Sequence, residues 1–69
     1  MRLQYTVNDY LFEIWPLDSW SRKIIVREVE KLNIPYTDQF TTMGTSSLQF
    51  SQEHYITIKQ HLNGADIEL

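Results

Sequence analysis

The chain has 69 residues, 42% of them hydrophobic, enough for one compact domain over 1–69 and too few for a second. It has no cysteine, which excludes disulfides, thiolate metal ligands and a thiol nucleophile and makes a reducing, cytoplasmic compartment the expectation. The net charge of -3 is uneven: residues 22–31 carry Arg22, Lys23, Arg27 and Lys31 against Glu28 and Glu30, a local balance of +2, and the remainder sums to -5.

Leu3, Tyr5 and Val7 alternate in one phase, and Tyr10, Phe12 and Ile14 in the other. A two-residue turn at Asn8-Asp9 reconciles them, setting Val7 opposite Tyr10, Tyr5 opposite Phe12 and Leu3 opposite Ile14 on one face of a hairpin. The other face then carries Arg2, Gln4 and Thr6 opposite Trp15, Glu13 and Leu11. Pro16 helps to end this extended stretch.

Residues 18–33 read as an amphipathic helix. Ile25, Val29 and Leu32 form a stripe flanked by Ile24 and Val26, with Lys23, Arg27, Glu30 and Lys31 opposite. Asp18 or Ser19 can cap its start, and Asn33, followed by Pro35, its end. Ile34 to Met43 reads as a strand with Ile34, Tyr36 and Phe40 in phase. Asp38 intrudes on that phase, so a bulge that turns it outward is expected. Met43-Gly44-Thr45-Ser46 forms a turn, and Leu48 and Phe50 are the inward positions of a returning strand. Ser51 opens a second helix, Gln52 to Leu62, with Tyr55, Ile58 and Leu62 on one stripe and Asn63-Gly64 as its stop. The tail frays or forms a last short strand through Ile67.

This ββαββα order predicts an α+β two-layer sandwich, an antiparallel four-stranded sheet with both helices on one face. The alternative is a βαββαβ ferredoxin-like plan, with residues 3–15 as one bent strand and Ile67 in a final strand.

The chemistry-bearing residues point away from catalysis. His54 and His61 lie seven apart on the second helix, about 10 Å along its axis, too far for one metal ion. Thr41, Thr42, Thr45, Ser46, Ser47 and Ser51 suit a hydroxyl-rich hairpin and a helix cap, with no nucleophile-elbow pattern. Gly44 and Gly64 suit a turn and a helix stop and sit in no phosphate-binding motif. Glu28 and Glu30 lie on different sides of their helix. Neither an enzyme nor a cofactor or metal is expected. No apolar run approaches the roughly 18 residues of a membrane span, and no signal-peptide pattern is present.

Two surfaces remain. Trp15 and Leu11 fall on the uncovered sheet face, and with Glu13, Arg2 and Trp20 they form an aromatic corner suited to a protein partner or a second copy of the chain; the alternative is that Trp15 folds over the sheet end and Trp20 packs under the first helix as an edge of the core. Lys23, Arg27 and Lys31 form a basic stripe open to a nucleic-acid reading, although Arg27–Glu30 and Glu28–Lys31 pairs also account for it as a solvated helix face. The first expectation is a non-enzymatic protein-binding module, an inhibitor or adaptor. In size, mild acidity and lack of cysteine it is similar in style to small inhibitors encoded by phages and other mobile elements, anti-defence proteins among them. The alternative is a nucleic-acid-binding domain.

Overall fold

The computed structural model describes residues 3–40 and 46–69. In chain order these residues form β1 (Tyr5–Val7), β2 (Leu11–Leu17), α1 (Ser19–Glu30), β3 (Thr37–Phe40), β4 (Ser46–Ser51), a 3-10 turn (Gln52–His54) and α2 (Tyr55–Gly64). All strand pairs are antiparallel, in the order β1-β2-β4-β3. β4 is therefore inserted between β2 and β3, and α1 crosses over it to connect them. The ββαββα expectation holds. The bent-strand alternative fails, because the chain reverses between β1 and β2.

That reversal lies one residue later than the alternation suggested. Asn8 pairs with Leu11 (N–H to carbonyl, 2.9 Å), and its Oδ1 accepts from the Tyr10 and Leu11 amides, both at 2.8 Å. An Asn side chain that satisfies the two following amides draws the loop to Asp9-Tyr10. The register becomes Tyr5↔Ile14 and Val7↔Phe12, and Tyr10 is left 86% exposed at the tip. A shift of two residues in register preserves which side chains face inward, so Phe12 and Ile14 still point into the core.

β2 continues through Pro16 instead of stopping there. Between the pairs Ile14↔Leu48 and Leu17↔Ser46 it carries one more residue than β4, a bulge. A proline, with no N–H to give, is tolerated in a central strand at such a place. Asp18 caps α1, its Oδ1 accepting from the Ser21 amide at 2.7 Å, and this hydrogen bond holds its carboxyl below the ordinary range. Asn33 closes α1 in the left-handed region, φ 55°.

α2 ends differently from the expectation. Gly64 is still helical, and Asp66 takes the left-handed position, φ 62°. The Ile67 amide donates to the Leu62 carbonyl (2.9 Å) and Asp66 to Asn63 (3.1 Å), a paired closure that brings Ile67 against Leu62. Ser51 makes no side-chain cap bond. The tail then lies beside the start of β1, where the Leu3 amide donates to the Glu68 carbonyl at 2.9 Å.

Phe12, Ile14, Leu48 and Phe50 from the sheet, Ile25 and Val29 from α1, and Ile58 and Leu62 from α2 form one buried cluster joined by Ile34 and Ile67. Each such side chain contributes about 1.5–3 kcal/mol by leaving water. Asp38 corrects the expectation of an outward bulge. It keeps strict register opposite Leu48, faces the helix side and forms an ion pair with Arg22 of α1. The turn expected at Met43-Gly44-Thr45-Ser46 falls outside the described residues up to Ser46, which opens β4.

Candidate functional site

Both helices pack on one side of the sheet, so the alternate positions of every strand form an uncovered layer. On β2 these are Leu11, Glu13 and Trp15, and on β4 Ser47, Gln49 and Ser51. Thr6 of β1 and Thr37 and Gln39 of β3 complete the row by register. Glu13 sits at the centre, half-buried. Its Oε2 accepts from Ser47 Oγ at 3.0 Å and Gln49 Nε2 at 2.8 Å, and Gln39 Nε2 donates to Gln49 Oε1 at 3.3 Å. Three strands are thus tied by one polar chain that ends on a carboxylate. Hydrogen bonds to an ionised acceptor are the stronger kind, so this layer is ordered.

Leu11 and Trp15 flank Glu13 two residues to either side on the same strand, a row about 13 Å long. Trp15 is 38% exposed, and its indole Nε1–H is directed at Thr6 Oγ1, 3.4 Å away, which fixes the ring over the β1 side of the face. An open groove lined by Leu3, Gln4, Tyr5, Trp15 and Leu69 runs beside it. Three of the five residues expected at this patch are therefore brought together. Arg2 lies outside the described residues.

Trp20 belongs to the other layer. It stands in the first turn of α1, about 180° around the helix from buried Val29, and is 71% exposed. The same geometry aligns it with Lys23, Arg27 and Lys31, all exposed. Lys31 donates to Glu28 Oε2 at 2.9 Å. That bond first, and His61 Nε2 of α2 at 3.1 Å from Oε1 to a lesser degree, hold the Glu28 carboxyl below its usual range. Glu28 is the clasp between the two helices.

Ser47 serves Glu13, whereas His54 and His61 lie on the opposite side of the sheet, His54 with Nε2 3.4 Å from Glu53. Thr41, Thr42 and Thr45 fall outside the described residues. Among the described residues no three His, Asp or Glu side chains gather to hold a metal ion, and no helix is long and apolar enough to cross a membrane.

One cluster was not read from the sequence. The Tyr5 and Tyr55 hydroxyls lie 3.1 Å apart, and Lys59 Nζ donates to Tyr55 at 3.3 Å. The hydrogen bond between the two hydroxyls lowers the Tyr55 phenol pKa, with Lys59 adding to it, and raises that of Tyr5. Both rings pack edge-on against Phe12, which makes the cluster a tie between β1 and α2. The Tyr55/Lys59 spacing was visible as a helical pair, but Tyr5 is 50 residues away.

No protein-family model, curated protein or solved structure matches this chain.

Proposed function

We propose that the chain is a small non-enzymatic protein-binding module that acts as an inhibitor or adaptor by occupying a partner's surface with its open sheet face. The observation that carries this reading is the row Leu11–Glu13–Trp15, two apolar side chains beside an ordered carboxylate on a face that no helix covers. Partly exposed tryptophan on a flat, ordered layer is the kind of anchor that dominates interface energetics. A self-complementary contact centred on Glu13 would set two carboxylates together, which favours a different molecule over a second copy. The inhibitor role, in the style of phage-encoded anti-defence proteins, is supported by size and composition.

The test is capture by the tagged protein from nuclease-treated lysate of the cells it comes from, with Leu11→Ala and Trp15→Ala alongside and their Tm recorded. A stoichiometric protein retained by the parent chain and lost by both folded variants supports the reading. Full retention by both overturns it.

A second reading, nucleic-acid binding through α1, is favoured by the alignment of Trp20 with Lys23, Arg27 and Lys31, since bases stack on exposed aromatics beside cations. Fluorescence anisotropy with a labelled oligothymidylate would decide it. This reading expects binding that falls steeply between about 50 and 200 mM salt and is removed by Lys23→Glu with Arg27→Glu. Indifference to both changes excludes it.

A further inference from the structure

The three polar atoms of the Tyr5–Tyr55–Lys59 cluster are not equivalent. A lysine ammonium has donors and no acceptor, so Lys59 Nζ, 3.3 Å from the Tyr55 hydroxyl, can only give to it. The Tyr5 hydroxyl meets the same oxygen at 3.1 Å. With the ammonium already there, negative charge is better held on Tyr55 than on Tyr5, so Tyr5 donates and Tyr55 Oη accepts a second time. The two bonds hold the Tyr55 phenol below its usual pKa, the one from Tyr5 first.

Lys59 is affected in the opposite sense. Its bond to Tyr55 raises its pKa, which withholds the lone pair that would make it a nucleophile. Tyr55 is the group that gains. Two hydrogen bonds leave a deprotonated phenol oxygen one further lone pair for an electrophile, and a lowered pKa is one of the ways a weak nucleophile is activated. Tyr55 is half-buried, and its two donors each line an open groove: Tyr5 the one beside Trp15, and Lys59 one along α2 with Ile56, Gln60 and Asn63.

We propose that Tyr55 is a modification site, the phenol of this chain that takes an acyl group from an activated acyl donor such as a thioester. The Tyr55 oxygen forms a bond to the acyl carbon as the carbon–sulfur bond breaks, the thiolate leaves with the electron pair, and the phenolic proton passes to solvent. Tyr5 and Lys59 are positioning residues that stabilise the phenolate. An acyl donor is favoured over a phosphoryl donor, because Glu68 lines the groove of Lys59 and the net charge of -3 opposes a polyanion. Esterification removes the anionic acceptor from both donors and so weakens the tie between β1 and α2.

The probe is N-acetylimidazole, given in limiting amount to the intact folded chain at neutral pH, with acetylation at each tyrosine followed by peptide mass spectrometry. Rates are compared within one chain against Tyr10, which is 86% exposed and is the tyrosine that access alone would favour. Tyr55 should be acetylated roughly tenfold faster than Tyr10. Tyr5→Phe and Lys59→Met, with Tm recorded to confirm folding, should each slow Tyr55 severalfold and leave Tyr10 unchanged. Hydroxylamine should remove the label, as it does from a phenolic ester and not from a lysine amide.

Acetylation that reaches Tyr10 or Lys59 before Tyr55 would overturn the inference, and so would a Tyr55 rate that ignores both substitutions in folded chains. The order of labelling is read in the parent chain and needs no variant to fold.

Discussion

The two faces of the sheet are made by the same strands and differ in every other residue. On β2, Phe12 and Ile14 are fully buried, and on β4 Leu48 is fully buried and Phe50 nearly so. Between them Leu11, Glu13, Trp15, Ser47 and Gln49 face solvent, and there Glu13, Ser47 and Gln49 form a connected hydrogen-bonded layer. The covered face is held by area removed from water and the open face by directional bonds to a carboxylate. Stability thereby rests on one side of the element, and the proposed function puts recognition on the other, so substitutions at neighbouring positions should separate them.

The largest expected effect is on the covered side. Phe12 packs against Phe50 with centroids 5.6 Å apart and edge-on to Tyr5 and Tyr55, so Phe12→Ala opens a cavity that touches β1, β4 and α2. A loss of about 3–5 kcal/mol is expected, comparable to the whole stability of a domain this small, and urea unfolding should show a chain mostly unfolded in buffer. Gln49→Ala, next to Leu48 but facing outward, should cost only about 1 kcal/mol and leave the cooperative transition intact. A Gln49→Ala protein as damaged as Phe12→Ala would break the distinction between the faces.

A smaller effect separates the layers by pH. Asp18 and Glu28 both belong to the helix layer, and hydrogen bonds hold both carboxyls below their ordinary values. Their contribution is present above the unfolded-state pKa and is lost as pH falls from about 4 toward the lower folded values. Asp18→Asn keeps a good cap but removes the titration. Its unfolding midpoint should therefore change little at neutral pH and decline less in acid than that of the parent chain.

Much of this was legible in the sequence, for physical reasons that also mark where legibility ends. α1 declared itself through its stripe and caps because those signals are local: Asp18 bonds three residues on, and Asn33 needs only its own backbone. Alternation gave Tyr5, Phe12 and Ile14 their inward face correctly but not the exposure of Val7 and Tyr10 or the register, since a shift of two residues leaves the faces unchanged and the deciding Asn8 bonds are side-chain chemistry. Asp38 was misplaced because its partner, Arg22, lies 16 residues earlier on another element. The open-face layer was only half visible. Leu11, Glu13 and Trp15 follow from one strand, whereas Ser47 and Gln49 reach Glu13 across 34 and 36 residues through an insertion of β4 that no local pattern encodes. Trp20 was grouped with Trp15 by proximity in the chain, and helical geometry puts it on the outer side of α1.

The most direct test of the division between the two sides is site-specific photo-crosslinking in lysate of the source cells, with a photoreactive residue at Leu11 in one protein and at Lys23 in another. The account predicts a single light-dependent protein adduct from position 11, suppressed by Trp15→Ala in the same chain, and none from position 23. An adduct from position 23 alone, or one from position 11 that ignores Trp15→Ala, would contradict it.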